Sequence, residues 1–220
     1  MSKNNALNIK ELIKELIEQI NQRCKVYFLE SNFFLVQTTH NKIISKSDYS
    51  SKAINNYNNE RLEIDVIKWF KDFWVYIEIR IDQASTRISF PDIFISISVF
   101  QGDESDHTKN QLFRAEWDNY RNNDEKHPQP HWHIYPVMYH HETFAESLEL
   151  LDDGESFQDI LNGGTHKIVD LKKIHFAMNG QWSSRGGKHV HTIDDIETIV
   201  NWFFGVFGCI KTQLEYVSME

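Results

Sequence analysis

The sequence predicts an α+β fold: an antiparallel sheet of about five or six strands, with N- and C-terminal helices packed on its apolar face. Three observations lead there. Apolar residues recur at helical spacing near both ends of the chain. Four successive segments in the middle alternate apolar and polar residues. The connections between those segments are short, which favours an antiparallel meander. With 220 residues, 40% of them hydrophobic and 13% aromatic, the chain has ample material for one packed core. Residues 1–220 are therefore expected to form a single domain.

Asn8 followed by Glu11 resembles an N-cap with its reciprocal acid. Ile9, Leu12, Ile13, Leu16, Ile17 and Ile20 then predict an amphipathic helix over 9–23. Residues 25–37 (KVYFLESNFFLVQ) read as a strand or hairpin, and the Asn/Ser-rich stretch 45–59 as a long surface loop. Leu62, Ile64 and Val66 alternate and open the expected sheet core, about 62–138 plus 172–178.

Within that core, 73–81 sets Phe73, Val75, Ile77, Ile79 and Ile81 against Trp74, Tyr76, Glu78 and Arg80. In 93–100 four aliphatics oppose Phe94, Ser96, Ser98 and Phe100, and in 112–119 Phe113, Ala115 and Trp117 oppose Arg114, Glu116 and Asp118. In 131–135 Trp132 and Ile134 oppose His131, His133 and Tyr135. Side chains alternate faces along a strand, so neighbouring strands would gather the polar residues on one face and the aliphatics on the other. The apolar face requires a cover of helices. Lys173–Met178 alternates too and would bring His175 to the polar face.

Residues 142–151 and 156–162 read as short helices ended by Gly163-Gly164. Thr192, with Asp195 three residues on, resembles a capping box opening a long helix over 193–218. Its stripe from Ile196 to Val217 is expected on the apolar sheet face, the alternative being a coiled-coil-like contact in a homo-oligomer.

The formal net charge of −9 argues against a broad nucleic-acid-binding surface and leaves room for a local basic patch. Cys24 and Cys209 are too few for a disulfide framework or a thiolate zinc site, and both sit in apolar surroundings. No apolar run reaches the roughly 18 residues of a membrane span, and charges interrupt the place where a signal peptide needs its apolar segment. No membrane association and a cytoplasmic location are the expectation. No P-loop, dinucleotide-binding glycine fingerprint, GxSxG elbow or EF-hand loop is present.

Ten of the eleven histidines lie after residue 106, so chemistry near neutral pH concentrates in the second half. On a strand, His131 and His133 project from the same face, close enough to grip one divalent ion, and His189-x-His191 repeats the spacing. Glu116 and Asp118 supply carboxylates, and such a set suits zinc, manganese or iron. A metal-free site using the imidazoles as acid and base is the second reading, and histidines that only satisfy hydrogen bonds the third. Arg114 and Arg80 would hold a phosphate or carboxylate, or else pair across strands with Glu78 and Glu116. Asp118-Asn119 closes its strand where a turn-forming pair is expected, and Asp118 would orient a histidine. His127-Pro128 and Pro130 stiffen the approach to His131. The expected site thus has His131, His133, Asp118 and Arg114 as catalytic residues. His131, His133, Asp118 and His175 are the expected ligands of a divalent ion, zinc or manganese.

The strand FRAEWDN followed by HPQPHWHI resembles the TumE-type toxin family of bacterial toxin–antitoxin pairs, over residues 73–135. In that family an antiparallel sheet leads to an arginine-to-Asp-Asn strand and then a His-x-His strand. Arg114, Asp118, Asn119, His131 and His133 occupy the motif positions, while the connection between the two strands is longer here. The resemblance implies a bacterial cytoplasmic effector with a neutralising antitoxin or another defence-complex partner. Together with the site it points to a hydrolytic, nuclease-like activity on a nucleotide or RNA. The alternative is a non-catalytic assembly subunit that docks through its 29 aromatic residues and C-terminal helix.

Overall fold

Leu12, Ile13, Leu16, Ile20 and Cys24 form the buried stripe of helix α1, Ile9–Cys24. In a computed structural model, residues 9–28, 31–57, 60–82, 90–118, 129–135 and 193–218 of the chain are described. After α1 come β1 (Phe34–Gln37), β2 (Lys42–Lys46), β3 (Ser50–Tyr57), β4 (Glu60–Phe70), β5 (Phe73–Asp82), β6 (Asp92–Gln101), β7 (Asn110–Asp118) and β8 (His131–Ile134). Helix α2 covers Ile196–Val217. The fold is α+β, with an eight-stranded antiparallel sheet and, among the described residues, two helices.

The main path across the sheet is β1-β2-β5-β6-β7-β8. The register from β5 to β8 keeps the faces that alternation demands. Ile77 faces Ile97, Ile97 faces Ala115 and Ala115 faces Trp132, while Glu78 faces Ser96, Ser96 faces Glu116 and Glu116 faces His131. The apolar rows pack beneath α1 and α2 in one continuous core. Phe207 of α2 is the centre of its aromatic part, with ring centroids 4.4 Å from Trp69, 5.5 Å from Tyr27 and 5.6 Å from both Phe28 and Phe203. Truncating such a side chain costs the lost burial plus the cavity it leaves.

Three expectations are corrected. The stretch 45–59, expected as a long loop, is mostly strand in its described part, 45–57: β2 ends in it and β3 runs from Ser50 to Tyr57, pairing with β4 along its whole length. The polar composition is real, but it belongs to a hairpin that lies over the polar face. Among the described residues of 25–37, the one strand is the short β1 at the C-terminal end. The last helix starts three residues later than expected, because Asp195 is itself the N-cap, its carboxylate accepting from Thr198 N at 2.6 Å. The candidate strand at 173–178 and the short helices at 142–151 and 156–162 lie outside the described residues.

The hairpin sits over the sheet because β5 cannot pair fully with both of its neighbours on that side. β2 takes the C-terminal half of β5 (Lys42 opposite Arg80, Ile44 opposite Glu78), and β4 takes the N-terminal half (Ile67 opposite Val75, Phe70 opposite Phe73). A register shift between Lys68 and Phe70 bends β4, as an extra residue in a ladder does. β3 then crosses the polar face. Ala53 joins Val66, Trp74, Tyr76 and Phe100 in a second, smaller core. Lys109 fastens the start of β3. Its ammonium, 1% exposed with its residue, donates to Ser51 Oγ (2.7 Å), Lys52 O (3.2 Å), Glu104 O (3.3 Å) and Asp106 O, and lies 4.6 Å from the Trp74 ring centroid.

Candidate metal centre

β7 carries Arg114 and Glu116 on the polar face, and β8 pairs with it so that His133 stands opposite Arg114 and His131 opposite Glu116. The start of β8 is held by Gln129, a buried residue whose side-chain oxygen accepts from Asp118 N at 3.0 Å. On the other face Trp132 packs on Phe113, their rings 5.9 Å apart, and this keeps the two histidines turned toward the carboxylate.

Three atoms converge. His133 Nε2 lies 2.8 Å from Glu116 Oε2, His131 Nε2 lies 3.4 Å from the same oxygen, and the two Nε2 atoms are 2.8 Å apart. Among the described residues this is the one group of three His, Cys, Asp or Glu side chains whose ligand atoms all lie within 4.8 Å of one another. An ion about 2.1 Å from each of two donors spaces them about 3.0 Å apart at a right angle and about 3.4 Å apart at the tetrahedral angle. The three separations sit close to those values, so the donor set fits a transition-metal ion. Two imidazoles and one carboxylate on one side of the ion suit zinc, iron or manganese and leave coordination positions for other groups.

The set is graded in exposure. The side chains of Arg114, Glu116, His131 and His133 are 3%, 8%, 13% and 35% exposed, so approach is from the His133 side. Burial pushes the Glu116 carboxyl up, but the His131 imidazole and the charges of Arg114 and His133 outweigh it and hold it below the usual carboxylate range. Burial also pushes the His133 imidazole down, against the pull of Glu116. Both shifts favour the forms that bind metal, a charged carboxylate and a neutral imidazole.

The expected residues divide. His131 and His133 are where the pattern placed them. Asp118 is on the same face but outside the convergent group, opposite Phe94. The carboxylate that meets the histidines is Glu116, a carboxylate partner in the pattern but not one of the expected ligands. Arg114 does not present its guanidinium as a phosphate clamp. Its Nε lies 2.6 Å from Glu116 Oε1, its Nη1 donates to Asn56 O at 2.6 Å, and the Tyr57 ring centroid is 4.7 Å from its Cζ. The pairing that replaces the clamp runs along one strand, two residues apart, rather than across strands. Arg80 does the same, its Nε 3.3 Å from Glu78 Oε1. Asn56, Tyr57 and Tyr135 were missed as neighbours of the site. Tyr135 stood in the pattern, on the face of His131 and His133, but the hairpin residues had no signal while 45–59 read as a loop. His175, Asn119, His127, His140, His141, His189 and His191 lie outside the described residues.

Comparison with protein-family models, curated proteins and solved structures finds no match to this chain. No helix among the described residues is long and apolar enough to cross a membrane.

Proposed function

We propose that the chain is a divalent-metal-dependent hydrolase, nuclease-like in its chemistry, acting as an effector in a bacterial toxin–antitoxin or phage-defence system. The observation that carries the metal-dependent part is the convergence of Glu116 Oε2, His131 Nε2 and His133 Nε2 on one point. The effector part rests on the resemblance of FRAEWDN and HPQPHWHI to the TumE-type toxins. A zinc or manganese ion in such a set supplies Lewis acidity and a nucleophilic water near neutral pH.

The chain's own residues then have distinct tasks. Glu116 and the two histidines hold the ion. Asp118, one same-face position beyond Glu116 and outside ligating reach of the group, accepts a proton from water at the site through its carboxylate. Arg114 braces Glu116 instead of binding substrate. With the face otherwise ion-paired and the net charge at −9, a nucleotide or a short stretch of RNA suits the site better than a long duplex.

Elemental analysis of the full chain, purified without a histidine tag, tests the reading. About one equivalent of a transition metal, lost in Glu116→Gln and in the His131→Ala/His133→Ala double variant, supports it. Less than a tenth of an equivalent in the wild type removes it. Asp118→Asn is expected to keep the metal and lose at least 100-fold in turnover. A cellular effect unchanged in the double variant would favour the assembly-subunit reading instead.

A further inference from the structure

The guanidinium of Arg114 joins the metal-facing carboxylate of β7 to the backbone of β3. On one side Nε makes a 2.6 Å ion pair, not aligned as a hydrogen bond, with Glu116 Oε1, the carboxylate oxygen turned away from the histidines. On the other, Nη1 donates to Asn56 O of β3. A guanidinium is flat and rigid, so the positions of its two partners are fixed relative to each other. Asn56 is itself fastened: its backbone N–H and its Nδ2 donate to Gln111 Oε1 at 2.7 and 3.1 Å, and its carbonyl also accepts from Tyr135 at 2.8 Å. Gln111 in turn donates to Asn55 at 2.9 Å.

We propose that Arg114 is a positioning residue of the metal centre, through which the seating of the β3–β4 hairpin sets the orientation of Glu116. The proposal rests on the reading of Glu116, His131 and His133 as a metal site. If the hairpin lifts, Arg114 loses its carbonyl acceptor and the Tyr57 ring above it, and the buried carboxylate loses its brace. A carboxylate free to turn is a poorer ligand, because the groups that orient metal ligands govern affinity nearly as strongly as the ligands do. The coupling is reciprocal: an ion that prefers the braced carboxylate favours the seated hairpin by the same factor.

The test uses the full chain stripped of metal by chelation and titrated with Co(II), whose visible absorption reports both affinity and coordination geometry. Gln111→Leu loosens Asn55 and Asn56 without altering Arg114, Glu116 or either histidine. It is expected to weaken Co(II) binding about 10-fold. Arg114→Lys, which meets only one of the two partners, is expected to weaken it about 10- to 100-fold and to change the absorption spectrum. Tyr135→Phe, a milder change on the same carbonyl, serves if Arg114→Lys fails to fold. In the wild type, Co(II) is expected to slow hydrogen exchange at the amides of 51–57. Variants that are less stable yet bind Co(II) as the wild type does, with the same spectrum, would overturn the positioning role and leave the metal reading standing. A wild type that takes up no Co(II) would overturn both.

Discussion

Lys109 and Glu116 show two different reasons for burying a charge. The carboxylates of Asp106, Glu104 and Asp103 attract the Lys109 ammonium, but burial outweighs them. The ammonium is surrounded by three carbonyls and a hydroxyl, and burial pushes it below the ordinary lysine range. Replacing it with methionine keeps the bulk and leaves those acceptors unanswered, so Lys109→Met should lose about 3 kcal/mol of stability, read by urea denaturation. Glu116 instead is held charged, and His133 beside it is held neutral. The linkage has one sign for both. A histidine whose folded value is depressed binds fewer protons than its unfolded counterpart below about pH 6.5, so stability falls as pH falls through that region. A carboxylate with a depressed folded value contributes stability above its unfolded value near pH 4.3, and that contribution is lost as pH drops through the folded one. The metal-free protein should therefore weaken progressively from about pH 6.5 downward. His133→Gln should flatten the upper part of that profile, and an unchanged profile would remove His133 as its source.

At the level of elements, the strands β5 to β8 were legible because every second side chain there is apolar. Phe73, Val75, Ile77 and Ile79 could only face the helices. What alternation leaves open is how far one strand slides along the next. β8 is separated from β7 by residues 119–130, and a slide of two residues would have kept every face correct while setting His131 opposite Asp118. The actual register sets it opposite Glu116. The carboxylate that faces the histidines thus lies one same-face position from Asp118, and periodicity has no means of choosing between the two. β3 was missed for another reason. Its side chains Asn55 and Asn56 look solvent-seeking, yet they answer Ser98 and Gln111, and the Asn56 carbonyl answers Arg114, across a buried polar layer. Helix α2 allows a simple check: Phe207→Ala should cost about 3–5 kcal/mol, because four aromatic rings lose their common neighbour. A loss under 1 kcal/mol would mean that α2 does not lie on the sheet in solution.

For the whole molecule, the sheet is a support with two unlike sides. Among the described residues, one is closed by helices through apolar contact, the other by a hairpin through hydrogen bonds and a smaller apolar core, and the histidines lie beside the second. An ion that binds the folded chain alone raises its stability by mass action, about 2.7 kcal/mol at a free concentration 100 times the dissociation constant. For a chain of this length that corresponds to a rise of about 5–11 °C in Tm. Zinc or manganese should produce it in the wild type and fail to do so in Glu116→Gln. The divided pairing along β5 has one more consequence. β2 and β4 are two prongs of a fork, and they are tied at its crotch by Asp65, which meets Lys46 of one prong at 3.4 Å and Lys52 of the hairpin at 2.7 Å. These charges stand partly in solvent, where dissolved ions screen them, whereas the ladder from β5 to β7 has no such dependence. Strong brine should therefore loosen a single prong, leaving the shaft of the fork as rigid as before.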